Sequence, residues 1–204
     1  MSKAFYLCIY RIFQPAIRWF YRMKVTGEEN EPQQGSCIIC SNHLSNQDVF
    51  ILAASVKRQV RFFAKAELFR IPLLRGIITA LGAFPVKRGG GDVSAIKRTI
   101  EILKNGEMVG FYPQGHRHPG IHPRDTSFQH GLGMLAWRTQ ATILPVAIKA
   151  GGFKLRPFKK TQVTIGKAIP FDALAMTAGT PDEYRRVTGI VFQKIINMID
   201  EDKL

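Results

Sequence analysis

The chain has 204 residues, 46% of them hydrophobic and 22% charged, enough apolar material to bury one proper core and too much for wholesale disorder. Twenty-nine Lys and Arg against 15 Asp and Glu give a net charge of +14, so the surface seeks polyanions: nucleic acid, anionic lipid, or an acidic or phosphorylated partner. Three cysteines, Cys8, Cys37 and Cys40, do not make a disulfide framework and fit buried thiols in a reducing compartment.

Residues 1–25 read as a segment of their own. Lys3, Arg11, Arg18, Arg22 and Lys24 are interleaved with aromatic and aliphatic residues and with no acid, a mixture that describes an amphipathic stretch lying in a membrane interface. Pro15 predicts a division into a pair of short helices. No apolar run here approaches the ~20 residues of a membrane span, and Arg11 interrupts the run a secretory signal needs. The competing reading is a helix whose aromatic face packs on the protein's own core.

From residue 26 onward, strand-length apolar runs recur at Cys37–Ser41, Val60–Ala64, Met108–Tyr112, Ile143–Ile148 and Val163–Gly166, each ending in Gly, Pro or polar residues. In the first, the CxxC offset puts Cys37 and Cys40 on opposite faces of a strand, which argues against a shared metal or a redox pair. Helical patterns lie between the runs. Asn46–Val56 reads as a short apolar helix, and Asp92–Asn105 carries Ile96, Ile100 and Leu103 on one face before Gly106 stops it. At Thr180-Pro-Asp-Glu183 a cap, an N1 proline and a capping-box acid open a last helix, with its apolar stripe running from Val187 to Ile199. The alternation predicts an α/β domain with a mostly parallel central sheet flanked by helices.

The densest chemistry lies in Asn42-His-Leu-Ser-Asn-Gln-Asp48. An imidazole oriented by a carboxylate can take a proton from a hydroxyl near neutral pH. Five residues apart on one helix, His43 and Asp48 would point some 140° away from each other; they meet if His43 lies at a strand end or in the loop after it and Asp48 in the first turn of the next helix. Ser45-Asn-Gln-Asp48 also has the form of a capping box, under which His43 is an ordinary surface histidine. Further along, Lys65, Lys87 and Arg88 are cations near element ends, beside a triple glycine at Gly89–Gly91, where a phosphate could be gripped. Gly110–Gly120 follows a predicted strand, where α/β proteins place ligand loops; it offers the Gln114 amide and the Arg117 fork. His116, His118 and His122 lack ligand-type spacing and a nearby acid or cysteine, so no metal is expected.

Taken in order, Asn42-His-x-Ser-x-x-Asp48, then Lys65…Pro72…Gly76…Arg88, then Tyr112-Pro-Gln-Gly-His-Arg117, then Leu144-Pro-Val-Ala147 resemble the four blocks of the glycerolipid acyltransferases, most like the bacterial 1-acylglycerol-3-phosphate acyltransferases. The resemblance runs from about Gly27 to Pro170. It implies a glycerolipid acyltransferase fold over 26–204, with the N-terminal helical pair of 1–25 dipping into one leaflet. It also implies direct acyl transfer: His43, oriented by Asp48, deprotonates an acceptor hydroxyl, which attacks the thioester of acyl-CoA or acyl carrier protein, without a further cofactor. No Gly-x-Ser-x-Gly elbow for a covalent intermediate is present in the sequence. Arg88 and Arg117 match the family's phosphate-binding arginines, with Lys65 as a helper; Asn42, Ser45, Gln114, Gly115 and His116 complete the expected substrate-binding set. The implied setting is the cytoplasmic face of the cell membrane, peripheral or monotopic, with anionic lipid and a lysophospholipid as partners and no nucleic acid.

Two departures bear on the acceptor. The family's third block usually reads Phe-Pro-Glu-Gly-Thr-Arg, where this chain has Gln114 and His116. Loss of the acid's charge from an acceptor pocket would allow another lysophospholipid or a lyso-aminolipid in place of lysophosphatidic acid. A non-catalytic lipid-binding relative is the reading from a different class. Nucleic-acid binding rests on charge alone, because no helix-turn-helix, RNP or zinc module organises the cations.

Overall fold

A computed structural model describes residues 3–80, 82–86 and 93–201. Among them, seven strands form one sheet: β1 (Met23–Thr26), β2 (Cys37–Ser41), β3 (Val60–Lys65), β4 (Ala83–Val86), β5 (Met108–Phe111), β6 (Thr142–Ala150) and β7 (Thr161–Ile165). Their order across the sheet is β1-β7-β6-β2-β5-β3-β4. The pairings are parallel except that between β6 and β7. The helices are α1 (Lys3–Phe20), α2 (Asp48–Ser55), α3 (Pro72–Ala80), α4 (Val93–Lys104), α5 (Gly131–Thr139) and α6 (Pro181–Glu201). The mostly parallel α/β architecture expected from the alternation of elements is the one observed.

β2 lies mid-sheet and is buried throughout. Ile38 and Cys40 face the core built by α4, α5 and α6, while Cys37 and Ile39 face the core covered by α1 and α2. The two thiols therefore sit on opposite faces, as the odd offset required. Burial pushes the Cys37 thiol up to about 12, and Cys40 higher still, so neither is a thiolate near neutral pH.

Two strands that the apolar runs do not reveal, β1 and β4, are the two edges of the sheet. Each is four residues long and pairs on one side only. Pro85 sits in β4, which an edge strand tolerates because one row of its amides has no ladder to join. β1 also runs across residues 25 and 26, where the sequence suggested a division.

The N-terminal segment is one helix across Pro15, not the expected pair. Tyr10, Gln14 and Arg18, four residues apart and so on one face, bind the C-terminal carbonyls of α2: the Tyr10 hydroxyl donates to Val56 O, and Gln14 Nε2 and Arg18 Nε donate to Ala54 O at 3.2 and 2.8 Å. These contacts hold the axis on both sides of the proline, which offsets the amide bond it removes. Phe13, Ile17 and Phe20 pack against the core. Ile12 and Trp19 stay 72% and 71% exposed on the outer side. One face of the helix thus packs on the core, as the competing reading expects, and the other presents apolar and basic residues outward.

α5 escapes detection because Gly131 and Gly133 lower its helix propensity. Gly133 has a packing reason: a Cβ there would run into the backbone of Tyr184 in α6. Gly133→Ala should lower stability by about 1–3 kcal/mol through overpacking, read as a fall in the urea midpoint; an unchanged midpoint would show that α5 and α6 separate freely. In α6 the cap forms as expected, with Glu183 N donating to Thr180 Oγ1 at 3.3 Å. The Glu183 carboxylate reaches further back, to the amides of Thr177, Ala178 and Gly179, which hold it down at about 2.

Candidate active site

The parallel strands β2, β3, β4, β5 and β6 all end on one edge of the sheet, so the loops that follow them gather there. β2 leads into α2 on one face and β5 into α5 on the other. Between two neighbouring strands whose connections diverge in this way lies the crevice where open α/β sheets bind ligands. The Asn42–Asp48 and Tyr112–Arg117 stretches sit at that point.

His43 and Asp48 meet as the spacing demanded, one in the loop after β2 and the other at the first position of α2. His43 Nδ1 lies 2.7 Å from Asp48 Oδ2. The same oxygen accepts from Leu44 N at 2.6 Å and Ser45 N at 2.9 Å, so the carboxylate that orients the ring also ties down the loop before α2; Ser45 Oγ accepts from Gln47 N at 3.2 Å and not from Asp48 N, so the reciprocal half of the capping box is not formed. Asp48 is fully buried; burial raises its pKa, while the bonds from His43, Ser45 and Leu44 pull the other way. The His43 ring stacks on Tyr112 with centroids 4.0 Å apart and planes 12° from parallel. With Nδ1–H donated to the carboxylate and one face covered, Nε2 carries the free lone pair, and the side chain keeps 13% exposure through which a hydroxyl can approach.

The backbone of His43 is held from the block after β5. Gln114 Oε1 accepts from His43 N at 2.6 Å, and His118 N donates to His43 O at 2.9 Å. Gln114 Nε2 donates to Thr126 Oγ1 at 2.8 Å, and Thr126 in turn donates to Pro123 O at 2.7 Å. At 3% exposure, Gln114 has both ends of its amide committed to the protein. This corrects the expectation that it meets the acceptor: it braces the loop that carries His43. A carboxylate at this position would keep the bond to His43 N but force the Thr126 hydroxyl away from Pro123 O. Gln114→Glu should therefore retain kcat within about tenfold. Gln114→Ala leaves the His43 amide unpaired, at about 1–3 kcal/mol, and should lose more of both kcat and melting temperature. Equal effects of the two variants would contradict the bracing role.

Asn42 is likewise structural in its contacts. Its Nδ2 donates to Ile148 O at 2.9 Å and its Oδ1 accepts from Ile148 N at 2.8 Å, extending the β2–β6 ladder by one side chain. It is fully buried, so the substrate contact expected of it gives way to a positioning role. Ser45 and Asn46 line a groove of about 580 Å³ with Arg117, Lys154 and Arg156. Arg117 Nη1 donates to Asn46 Oδ1, which ties the two loops together at the rim. Gly115 N donates to Tyr112 O at 3.1 Å with a φ of 70°, a turn that leaves Gly115 and His116 exposed. Lys65 is the last residue of β3, at the same sheet edge. Lys87, Arg88 and Gly89–Gly91 lie outside the described residues. Lys154 and Arg156 did not stand out in the sequence, because they fall in a basic connection with no motif around it.

Residues 22–149 match the family model described as Acyltransferase, which covers more than half of the chain. The chain belongs to the Acyltransferase family. A Bacillus subtilis 1-acyl-sn-glycerol-3-phosphate acyltransferase is 30% identical over 144 residues, 70% of each protein. The chloroplastic 1-acyl-sn-glycerol-3-phosphate acyltransferase LPAT1 of Arabidopsis thaliana is 31% identical over 141 residues, 68% of this chain but 38% of the plant protein. A second plant relative, from Brassica napus, is matched over 40% of its length. The crystal structure of the 1-acyl-sn-glycerophosphate (LPA) acyltransferase PlsC of Thermotoga maritima superposes with a TM-score of 0.76 at 25% identity, covering 98% of this chain and 81% of that one. The acyltransferase model takes in β2, the His43–Asp48 loop and the block that braces it, so the dyad lies within the family's own segment of the chain.

Proposed function

We propose that the protein is an O-acyltransferase that moves a fatty acyl group from acyl-CoA or acyl carrier protein to the hydroxyl of lysophosphatidic acid, in phospholipid biosynthesis. The observation that carries this reading is the His43–Asp48 pair at the sheet's ligand edge, with Nε2 free, in a chain whose relatives bear that activity's name. Nε2 takes the hydroxyl proton as the acceptor oxygen bonds to the thioester carbonyl carbon; the C–S bond then breaks and the proton passes to the departing thiolate, giving an ester and a free thiol. Asp48 stabilises the imidazolium that forms between these steps. Because Gln114 is occupied by His43 and Thr126, its lack of charge gives no reason to prefer a different acceptor.

Membrane attachment is part of the proposal. On the outer side of α1, Trp19 packs edge-on against Phe158 with centroids 5.4 Å apart, and Phe158 also meets Phe20 at 4.9 Å. Arg22, Lys159 and Lys160, next to it in the chain, are exposed, and so is Arg11 two turns earlier on α1. Exposed aromatics flanked by cations suit the headgroup level of an anionic bilayer, on the cytoplasmic side where the donors are. No helix among the described residues is long and apolar enough to cross a membrane. The test is an acyl-transfer assay on the full chain, offering lysophosphatidic acid, other lysophospholipids and a lyso-aminolipid with each donor. Phosphatidic acid as the main product supports the reading; preference for an acceptor without a terminal phosphate would overturn the acceptor assignment.

A further inference from the structure

The groove beside the dyad has a wall that the family's motif blocks do not supply. Lys154 and Arg156 stand on the connection between β6 and β7 and line, together with Arg117, a groove of about 580 Å³. Three cations line one groove, and none of them pairs with a carboxylate among the described residues; Arg117 donates to the neutral amide of Asn46. Like charges held together without a counter-ion repel one another unless an anion joins them.

The arrangement is fixed by the fold. Gly120 N donates to Phe153 O at 2.9 Å, which staples the β6–β7 connection to the loop that carries Arg117. Gly120 adopts a φ of 80°, and a Cβ there would lie 2.8 Å from Lys154 Cε, so the lysine stem crosses directly over the glycine. Further along the same connection, Phe158 N donates to Phe20 O at 2.7 Å, anchoring it to the end of α1 beside Trp19. The cations are thus carried between the dyad on one side and the exposed aromatic cluster on the other.

We propose that Lys154 and Arg156, with Arg117, form a phosphate-binding subsite that seats a substrate phosphate while its reacting group lies at His43. An arginine fork and a lysine point charge together suit a phosphate's several acceptor oxygens. The proximity of Phe158 and Trp19 favours the phosphate of the lipid acceptor, whose chain would enter from the aromatic side, over the phosphates of the donor's pantetheine arm. The assignment rests on the acyltransferase reading for its kinetic arm only.

The experiment uses the full chain and the double variant Lys154→Gln/Arg156→Gln, both side chains being exposed, with melting temperature as the folding control. Equilibrium binding of lysophosphatidic acid and of CoA is measured first, then KM and kcat with each substrate varied. Loss of two charge-assisted contacts should weaken lysophosphatidic acid binding and raise its KM by about tenfold to a hundredfold, with kcat little changed and CoA binding intact. Weakened CoA binding instead would keep the phosphate subsite and transfer it to the donor. Unchanged binding of both would overturn the proposal. Should the native chain transfer no acyl group, the acyltransferase reading fails by itself, and the binding arm still decides the subsite.

Discussion

His43→Ala will remove acyl transfer almost completely while leaving the fold in place. A positioned general base contributes about 10²–10⁴ in rate, and His43 is the histidine whose ring is oriented by the buried Asp48 carboxylate. His122, by contrast, has both ring nitrogens engaged away from the dyad: Nε2 is 3.0 Å from Asp200 Oδ1 and Nδ1 accepts from Arg124 N. The His43 backbone contacts to Gln114 and His118 survive the substitution, and so do the Leu44 and Ser45 bonds to Asp48; the buried carboxylate loses its His43 partner, so the melting temperature should fall modestly without loss of the fold. The measurement is kcat beside a thermal scan of the same sample. Retained turnover would remove His43 from the chemistry, and loss of turnover together with unfolding would reduce it to a structural residue.

Asp48→Asn gives the second large effect, and it separates two roles of one side chain. An amide can still accept from Leu44 N and Ser45 N, but it supplies no charge to stabilise the imidazolium, so kcat should fall by about 10²–10⁴. Stability should move the other way at neutral pH. Burial raises the Asp48 pKa above its ordinary 3.8, so the folded state holds that proton more tightly than the unfolded chain does. Its contribution is then fully present below about pH 3.8 and is lost as pH rises through the raised folded value. The asparagine variant carries no such loss. Its melting temperature relative to the native protein should therefore rise as pH increases from about 4 towards 7; a difference that stays flat or shrinks would show that the carboxylate is better solvated or better paired than its setting implies. The variant would be a more stable and nearly inactive protein, the trade expected where a charged catalytic group is held in a dry site.

The sequence made the chemistry easier to read than its scaffolding. His43 and Asp48 fall within seven residues, and their spacing admits one loop-to-helix geometry, which is the one found. Of the five strands that pair on both sides, β2, β5 and β6 are almost wholly apolar because both faces are covered, and β3 and β7 carry shorter apolar stretches, Phe62–Ala64 and Val163–Ile165. β1 and β4 carry no such mark, since an edge strand may be short, polar on one side and, in β4, interrupted by Pro85. The single helix across Pro15 depends on Tyr10, Gln14 and Arg18 finding carbonyls at the end of α2, some 36 to 46 residues away. Gln114 was noticed but misplaced: its position in the motif marks it as important, while its partner His43 lies 71 residues earlier, and only the fold shows that the amide is consumed there. Lys154 and Arg156 had no local signal, because a basic loop in a chain of net charge +14 looks like ordinary solvated surface until it is seen to line one groove with Arg117.

These contacts describe a histidine fixed at its backbone by Gln114 and His118, at its ring face by Tyr112 and at Nδ1 by Asp48, with one nitrogen left for a hydroxyl. The most direct test of direct transfer is to mix the full chain with a donor carrying a labelled acyl group, with and without lysophosphatidic acid, and to follow the label on both lipid and intact protein. The predicted result is label in phosphatidic acid only when the acceptor is present, and none on the protein at any time. Stoichiometric acylation of the protein before the lipid, or transfer that survives His43→Ala, would contradict it.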